Sequence, residues 1–253
     1  MLTFFTIICL IVPFLLFIYL FKKRGIKNLE KSVDKEQEIM SQISNEVFLG
    51  GVGSINDLEI LKAKNIGYII IVNPFIKPKF ENSGLKYLQI KIADNPTALI
   101  GIHFQNAYDF IENGISNGKN VLILCQMGIS RSATVTCSYF MKKNNLSFND
   151  AFEFVKKGRR IIDPNSAFRH QLELFHYFKF DEKLNWYEIM NKTMTKFEDQ
   201  ESIEIWDSKK KNWIEGIFLL KYSNALFFDV KVGDQIISTN RGMARRNIKK
   251  IFT

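Results

Sequence analysis

The chain has 253 residues, room for one domain of ordinary size with additions, and its 46% hydrophobic and 24% charged content is that of a folded protein. A formal net charge of +9 favours acidic partners, but no aromatic-basic motif of domain size marks a nucleic-acid binder, and none is expected as a partner. Three cysteines, Cys9, Cys125 and Cys137, supply neither a disulfide framework nor a metal-ligand spacing, and no cofactor is expected.

Leu2 to Phe21 are almost wholly apolar and uncharged, and Lys22, Lys23 and Arg24 come at once after them. At about 1.5 Å per residue, roughly 20 helical residues cross a hydrocarbon core of about 30 Å, so residues 1–22 read as an uncleaved transmembrane anchor. A secretory signal is the alternative, but it needs a basic start and small residues before the cut. The basic cluster places the rest of the chain in the cytosol, giving a single-pass membrane location, with nearby lysines available to anionic lipid. Residues 23–42, charged and mixed in sign, read as a linker.

From 43 to 190 strand and helix patterns alternate. Val47 to Leu49 suggests an edge strand, and Ser54 is a candidate cap for a helix through Ala63. Gly67 to Val72 is an Ile-rich run that suits a buried strand; Leu85 to Ile92 alternates, with Leu88, Ile90 and Ile92 on one face. Ala98 to Ile115 has helical spacing. Arg131 to Asn144 predicts a packed helix, Ser147 or Asn149 caps a short one through Lys157, and a longer one starts near Ser166 after Pro164. The pattern predicts an α/β fold with a central, mostly parallel sheet flanked by helices. Beyond about 200, short strand-like runs at Ile203–Trp206, Trp213–Lys221, Ala225–Lys231, Gln235–Ser238 and Ile248–Phe252 predict a small all-β, barrel-like unit. Its Trp206, Trp213 and Tyr222 belong either to a small core or to an aromatic ligand pocket.

The chemistry concentrates between Val121 and Ala133. Four apolar residues, Val121 to Leu124, make a buried strand; a tight loop carries Cys125 at its entrance and Arg131 at its exit, and a helix begins there. A loop leading into a helix N-terminus cradles anions, because its N–H groups lack intrahelical partners. Gly128 supplies the positive φ such a nest needs, and Arg131 can fork two hydrogen bonds onto a phosphate-like oxyanion. The field of loop and guanidinium favours a thiolate at Cys125, and a thiolate touching bound phosphate is a nucleophile with its target in place. A cysteine ending a buried strand is otherwise a small hydrophobe.

These residues carry a resemblance. Cys125-Gln-Met-Gly-Ile-Ser-Arg131-Ser132 is similar to the signature loop of the dual-specificity protein phosphatases, among the cysteine-dependent tyrosine phosphatases. Val47-Phe-Leu-Gly-Gly and Asp163-Pro-Asn-Ser-Ala-Phe-Arg-His-Gln-Leu172 also fit the family pattern, and the likeness runs from about Ile43 to Phe180. It implies attack by Cys125 to form a phosphocysteine. Equatorial oxygens would be held by Arg131 and by the amides of Gln126, Met127, Gly128, Ile129, Ser130 and Arg131. It also implies Asp94 as the acid that protonates the leaving oxygen, and Ser132 as the hydroxyl that eases thiolate departure. Uncharged loop side chains favour phosphorylated proteins as substrates, on tyrosine or on serine and threonine. One residue departs from the pattern: Leu124 stands where the family has His, which implies weakened catalysis. The same loop admits two other readings: a catalytically weak phosphoprotein binder, and a sulfurtransferase of the rhodanese type.

Overall fold

The structure, a computed structural model, describes residues 39–194, 202–207, 209–210, 212–219, 227–240 and 244–245. Segment 1–22 and the strand expected at 248–252 lie outside the described residues.

The chain enters a mixed five-stranded sheet with β1 (Met40–Gln42) and β2 (Val47–Gly50). Next come helix α1 (Leu58–Ala63), β3 (Ile66–Val72), β4 (Lys86–Ile90), α2 (Phe104–Ser116) and β5 (Asn120–Leu124). The strand order is β1-β2-β5-β3-β4, antiparallel only at the β1–β2 edge. Val47–Gly50 is therefore not an edge strand, as its residues had suggested: Met40 to Gln42 pair along it, and all four of its residues are buried. Ser54 is not a helix cap either. Its hydroxyl donates to Ile39 O at 2.7 Å, and Asp57 caps α1 by accepting from Glu59 N and Ile60 N.

Side-chain alternation along the central strands builds two cores. On one face Tyr68, Ile70, Val72, Val121, Ile123 and Cys125 pack with α2 and with the next three helices: α3 (Arg131–Asn144), α4 (Phe148–Gly158) and α5 (Ser166–Tyr177). On the other face Ile69, Ile71, Leu122 and Leu124 meet Ile55 and Leu61 beside α1. Each fully buried Ile or Leu stabilises the fold by about 1.5–3 kcal/mol relative to exposure, so this period-two pattern fixes the register. Helix α3 has the bounds read from the sequence, and Ser147 caps α4 by accepting from Asp150 N. Helix α6 (Trp186–Met194) completes this part of the chain.

A second sheet is all antiparallel: β6 (Ser202–Asp207), β7 (Asn212–Leu219), β8 (Phe227–Val232), β9 (Gln235–Asn240) and β10 (Ala244–Arg245), in the order β10-β6-β7-β8-β9. Its described core is small, with Ile203, Ile205, Val230 and Ala244 buried.

The expected single-pass membrane location requires correction. Among the described residues no helix is long and apolar enough to cross a membrane. The longest, α3, has 14 residues. It would reach about 21 Å against a core of roughly 30 Å.

Candidate active site

The pocket lies where β5 stops and α3 starts. Backbone geometry of the intervening loop is set by two glycine contacts with the end of β2. Gly128 has φ +69°, and a Cβ there would stand 2.5 Å from the Gly50 carbonyl carbon. A Cβ on Gly51 would meet Gln126 O and the Met127 carbonyl carbon, both at 3.2 Å. The Val47-Phe-Leu-Gly-Gly run is thus explained: it lets β2 press backbone to backbone against the loop. Val52 N donates to Gln126 O at 3.1 Å and Cys125 N to Gly50 O at 3.4 Å, tying the loop down at that side.

Cys125 is 2% exposed, with its sulfur at the floor of the loop. Ser132 Oγ donates to Cys125 Sγ at 3.1 Å, and Gly128 N donates to it at 3.3 Å. Both donors point at the sulfur from the loop and the first turn of α3. The amides of Gln126, Met127, Ile129, Ser130 and Arg131 donate to no backbone carbonyl among the described residues. Five loop donors left without a backbone acceptor, on the loop that also brings Gly128 N to the sulfur, can serve a bound anion.

Arg131 opens α3 and is buried, with Nη1 donating to Ile92 O at 3.4 Å. Its Nε stands 3.4 Å from Asp94 Oδ2 without hydrogen-bond alignment, so the two charges attract without locking. Asp94 itself is exposed and held over the loop. Ser130 Oγ donates to its Oδ1 at 2.8 Å and Asn165 Nδ2 to the same oxygen at 2.9 Å. The structure therefore gathers Cys125, Arg131, Ser132 and Asp94 around one loop. It turns the Ser130 side chain toward Asp94, and it leaves Met127 exposed at the rim.

Two residues escaped the sequence reading. Asn165 caps α5, accepting from Phe168 N at 2.9 Å while its amide grips Asp94; a Pro-Asn pair before a helix could have signalled it. Arg159, 3% exposed, donates Nε to Gly128 O at 2.8 Å, Nη2 to Met127 O at 3.1 Å and Nη1 to Ser41 Oγ at 3.2 Å. Burial pushes its guanidinium below the usual range, and the charge of Cys125 partly offsets this. Its place in the run Lys156-Lys-Gly-Arg-Arg160 disguised it as a solvated charge. Leu124 lies fully buried in the apolar cluster with Ile71 and Leu61, on the opposite side of β5 from the sulfur. No imidazole supports the loop there; Arg159 and the two glycine contacts do. Cys137, the other described cysteine, is pushed up to about 12 by burial, against a weaker pull from Arg169, and stays a neutral thiol.

A strand–loop–helix cradle with its thiol, hydroxyl and guanidinium defines the class of cysteine-dependent phosphatases. Residues 47–178 match the family described as dual specificity phosphatase, catalytic domain. The chain is 43% identical over 130 residues to dual specificity protein phosphatase Mpk3 of Drosophila melanogaster, covering 51% of this chain and 32% of that protein. It is 32% identical over 151 residues to dual specificity protein phosphatase 1B of Arabidopsis thaliana, covering 60% of this chain and 89% of that one. The crystal structure of human tyrosine phosphatase-like serine/threonine/tyrosine-interacting protein superposes with a TM-score of 0.54 at 34% identity, over 57% of this chain and 99% of that chain. The chain thus spans about a third of the first of these relatives and most of the second. This protein belongs to the dual specificity phosphatase family and carries its catalytic domain.

Proposed function

We propose that the chain hydrolyses phosphate monoesters on protein tyrosine, serine or threonine side chains through a phosphocysteine. Residues 43–190 would form the catalytic unit and residues 200–253 a small barrel-like β unit. The observation that carries the reading is the sulfur of Cys125, bonded by Ser132 Oγ and Gly128 N on a loop whose other amides have no backbone acceptor among the described residues.

Cys125 attacks phosphorus in line with the ester oxygen. Equatorial oxygens, where charge accumulates, take the amides from Gln126 to Arg131 and the Arg131 guanidinium. Asp94 gives its proton to the departing oxygen, because an alkoxide or phenolate leaves poorly. In the second step the same carboxylate takes a proton from water as the P–S bond breaks, and Ser132 stabilises the thiolate that is released. Leu124 does not disturb this arrangement, since the loop rests on Arg159 and on the glycine contacts.

The test is turnover of an aryl phosphate by the full chain, beside Cys125→Ser and Asp94→Asn. Phosphate release by the parent, none by the serine variant and a loss on poor leaving groups for the asparagine variant are expected. A folded parent that binds phosphotyrosine peptides yet releases no phosphate between mildly acidic and mildly alkaline pH would make the protein a phosphate reader instead.

A further inference from the structure

The acid Asp94 is held by Asn165, and Asn165 is held by something outside the pocket. The segment Asp163-Pro164-Asn165 is a clip: Asp163 N donates to Ile129 O at 2.8 Å, Asn165 N to Ser130 Oγ at 3.2 Å, and Asn165 Nδ2 to Asp94. Arg169, in the first turn of α5 and 3% exposed, fixes the clip from behind. Its Nε donates to Pro164 O at 2.8 Å and its Nη2 to Asp163 Oδ1 at 2.7 Å. These in-plane bonds leave the faces of the guanidinium to aromatic rings. Its Cζ lies 4.7 Å from the ring centre of Phe152 on α4 and 5.0 Å from that of Trp206 on β6.

Trp206 belongs to the second sheet, and that sheet is docked on the same helix. Trp206 stands edge-on to its cross-strand partner Trp213, with ring centres 5.5 Å apart. Arg245 on β10 has its Cζ 4.1 Å from the ring of Trp213. The same guanidinium pairs with Glu173 on α5 and, at 2.8 Å, with Glu204 on β6, and donates to His170 Nδ1 at 2.9 Å. The two tryptophans are thus committed to arginines at the junction between sheet and helix.

We propose that the C-terminal sheet positions the acid: Trp206 holds the plane of Arg169, Arg169 holds the Asp163–Asn165 clip, and the clip holds Asp94 over the phosphate loop. Trp206 and Arg169 are positioning residues, and the inference rests on Asp94 being the acid of the proposed reaction. Without Trp206 the guanidinium keeps the rings of Phe152 and Phe148 but is hydrated where the indole lay, and that water competes for Asp163 and the Pro164 carbonyl. A cation–π contact of this kind contributes about 1 kcal/mol, or roughly a fivefold rate effect where it acts on one step. In phosphocysteine formation the effect falls on proton donation, so the loss in that step depends on the leaving group.

The experiment uses the full chain and two substrates: phenyl phosphate, whose phenolate leaves poorly, and a polyfluorinated aryl phosphate, whose phenolate needs no proton. Both are read as kcat/KM, which reports only the steps through phosphocysteine formation and leaves out the shared hydrolysis in which Asp94 acts as base. Trp206→Ala is expected to lower it about fivefold on phenyl phosphate, to leave it within twofold on the fluorinated substrate, and to be largely rescued by Trp206→Phe. Asp94→Asn shows the same selectivity, more strongly, and adding Trp206→Ala to it changes nothing further. If Trp206→Ala releases or unfolds the whole β unit, the same selective loss is expected, because the ring leaves Arg169 either way. Equal losses on both substrates, no loss on either, or additive effects in the double variant would overturn the inference while leaving Asp94 as the acid. An Asp94→Asn variant without leaving-group selectivity would overturn the acid assignment and this inference with it.

Discussion

Replacing Arg159 by Met keeps most of the side-chain volume and removes the fork that grips the phosphate loop. Bonds to Gly128 O, Met127 O and Ser41 Oγ are lost. A hydrogen bond from a charged donor contributes about 1.5–3 kcal/mol net, and a buried carbonyl left without a partner costs about 1–3 kcal/mol. Against this stands the desolvation of the guanidinium itself, which the substitution relieves. The balance is a loss of about 3 kcal/mol, serious for a domain with 5–15 kcal/mol in total but not enough to unfold it. The effect on the pocket is more specific. The Met127 carbonyl shares its peptide plane with Gly128 N–H, the donor to Cys125 Sγ, and the Gly128 carbonyl shares its plane with Ile129 N–H. Arg159 therefore aims two of the loop's donors. Urea titrations of both forms, with and without orthovanadate, separate the two effects: the midpoint falls in buffer, and vanadate affinity falls at least tenfold. A variant that is less stable but binds vanadate as tightly as the parent would refute the idea that Arg159 shapes the loop.

Gly128→Ala places a Cβ 2.5 Å from backbone of β2 and costs about 1–2 kcal/mol for a left-handed conformation, so a drop in melting temperature and loss of vanadate binding are expected. Leu124→His, the change that would match the family pattern, buries an imidazole among Ile71, Leu61 and Phe48. It is expected to destabilise by about 2–4 kcal/mol in denaturant titration without raising kcat. Glu112 on α2 accepts from Tyr139 at 2.7 Å and pairs with Lys143 at 2.6 Å, both on α3. Burial alone would raise its pKa, but the bonds to Lys143 and Tyr139 outweigh burial and hold the carboxyl below its usual 4.5. A depressed folded-state value stabilises above the unfolded one and is lost as pH falls through the folded one. Glu112→Gln should thus lower stability by about 1 kcal/mol at pH 7, and the difference between the forms should shrink as pH falls below 4.5 and through the folded-state value.

What could be read from the sequence was what is local or periodic. The nucleophile loop was legible because one short run contains a buried strand, a glycine with positive φ and a helix start; α3 needed nothing more than an uninterrupted apolar pattern. Asp94 was reached through the family pattern, and its grip by Asn165 was not, because the two are brought together only by the packing of α5 against the loop. β1 stayed hidden because a three-residue strand beside charged sequence has no period to show. Arg159 was missed for a related reason: a buried arginine and a solvated one look alike until the carbonyls that it meets are in place. Trp206, Trp213 and Tyr222 had suggested a small core or an aromatic ligand pocket; both tryptophans instead pack on arginines at the helix junction, and Tyr222 lies outside the described residues.

The central place of β5 has a consequence for how the molecule opens. Its amides are paired on one side with β2 and on the other with β3, both far earlier in the chain. Freeing them means parting the sheet on both sides, so their hydrogen exchange tracks the slowest, global opening. Asp94 sits instead in an exposed stretch, residues 93–97, whose amides exchange through small local excursions. The nucleophile is thus built into the slowest-opening part of the fold, while the proton donor rides on one of its easiest to open.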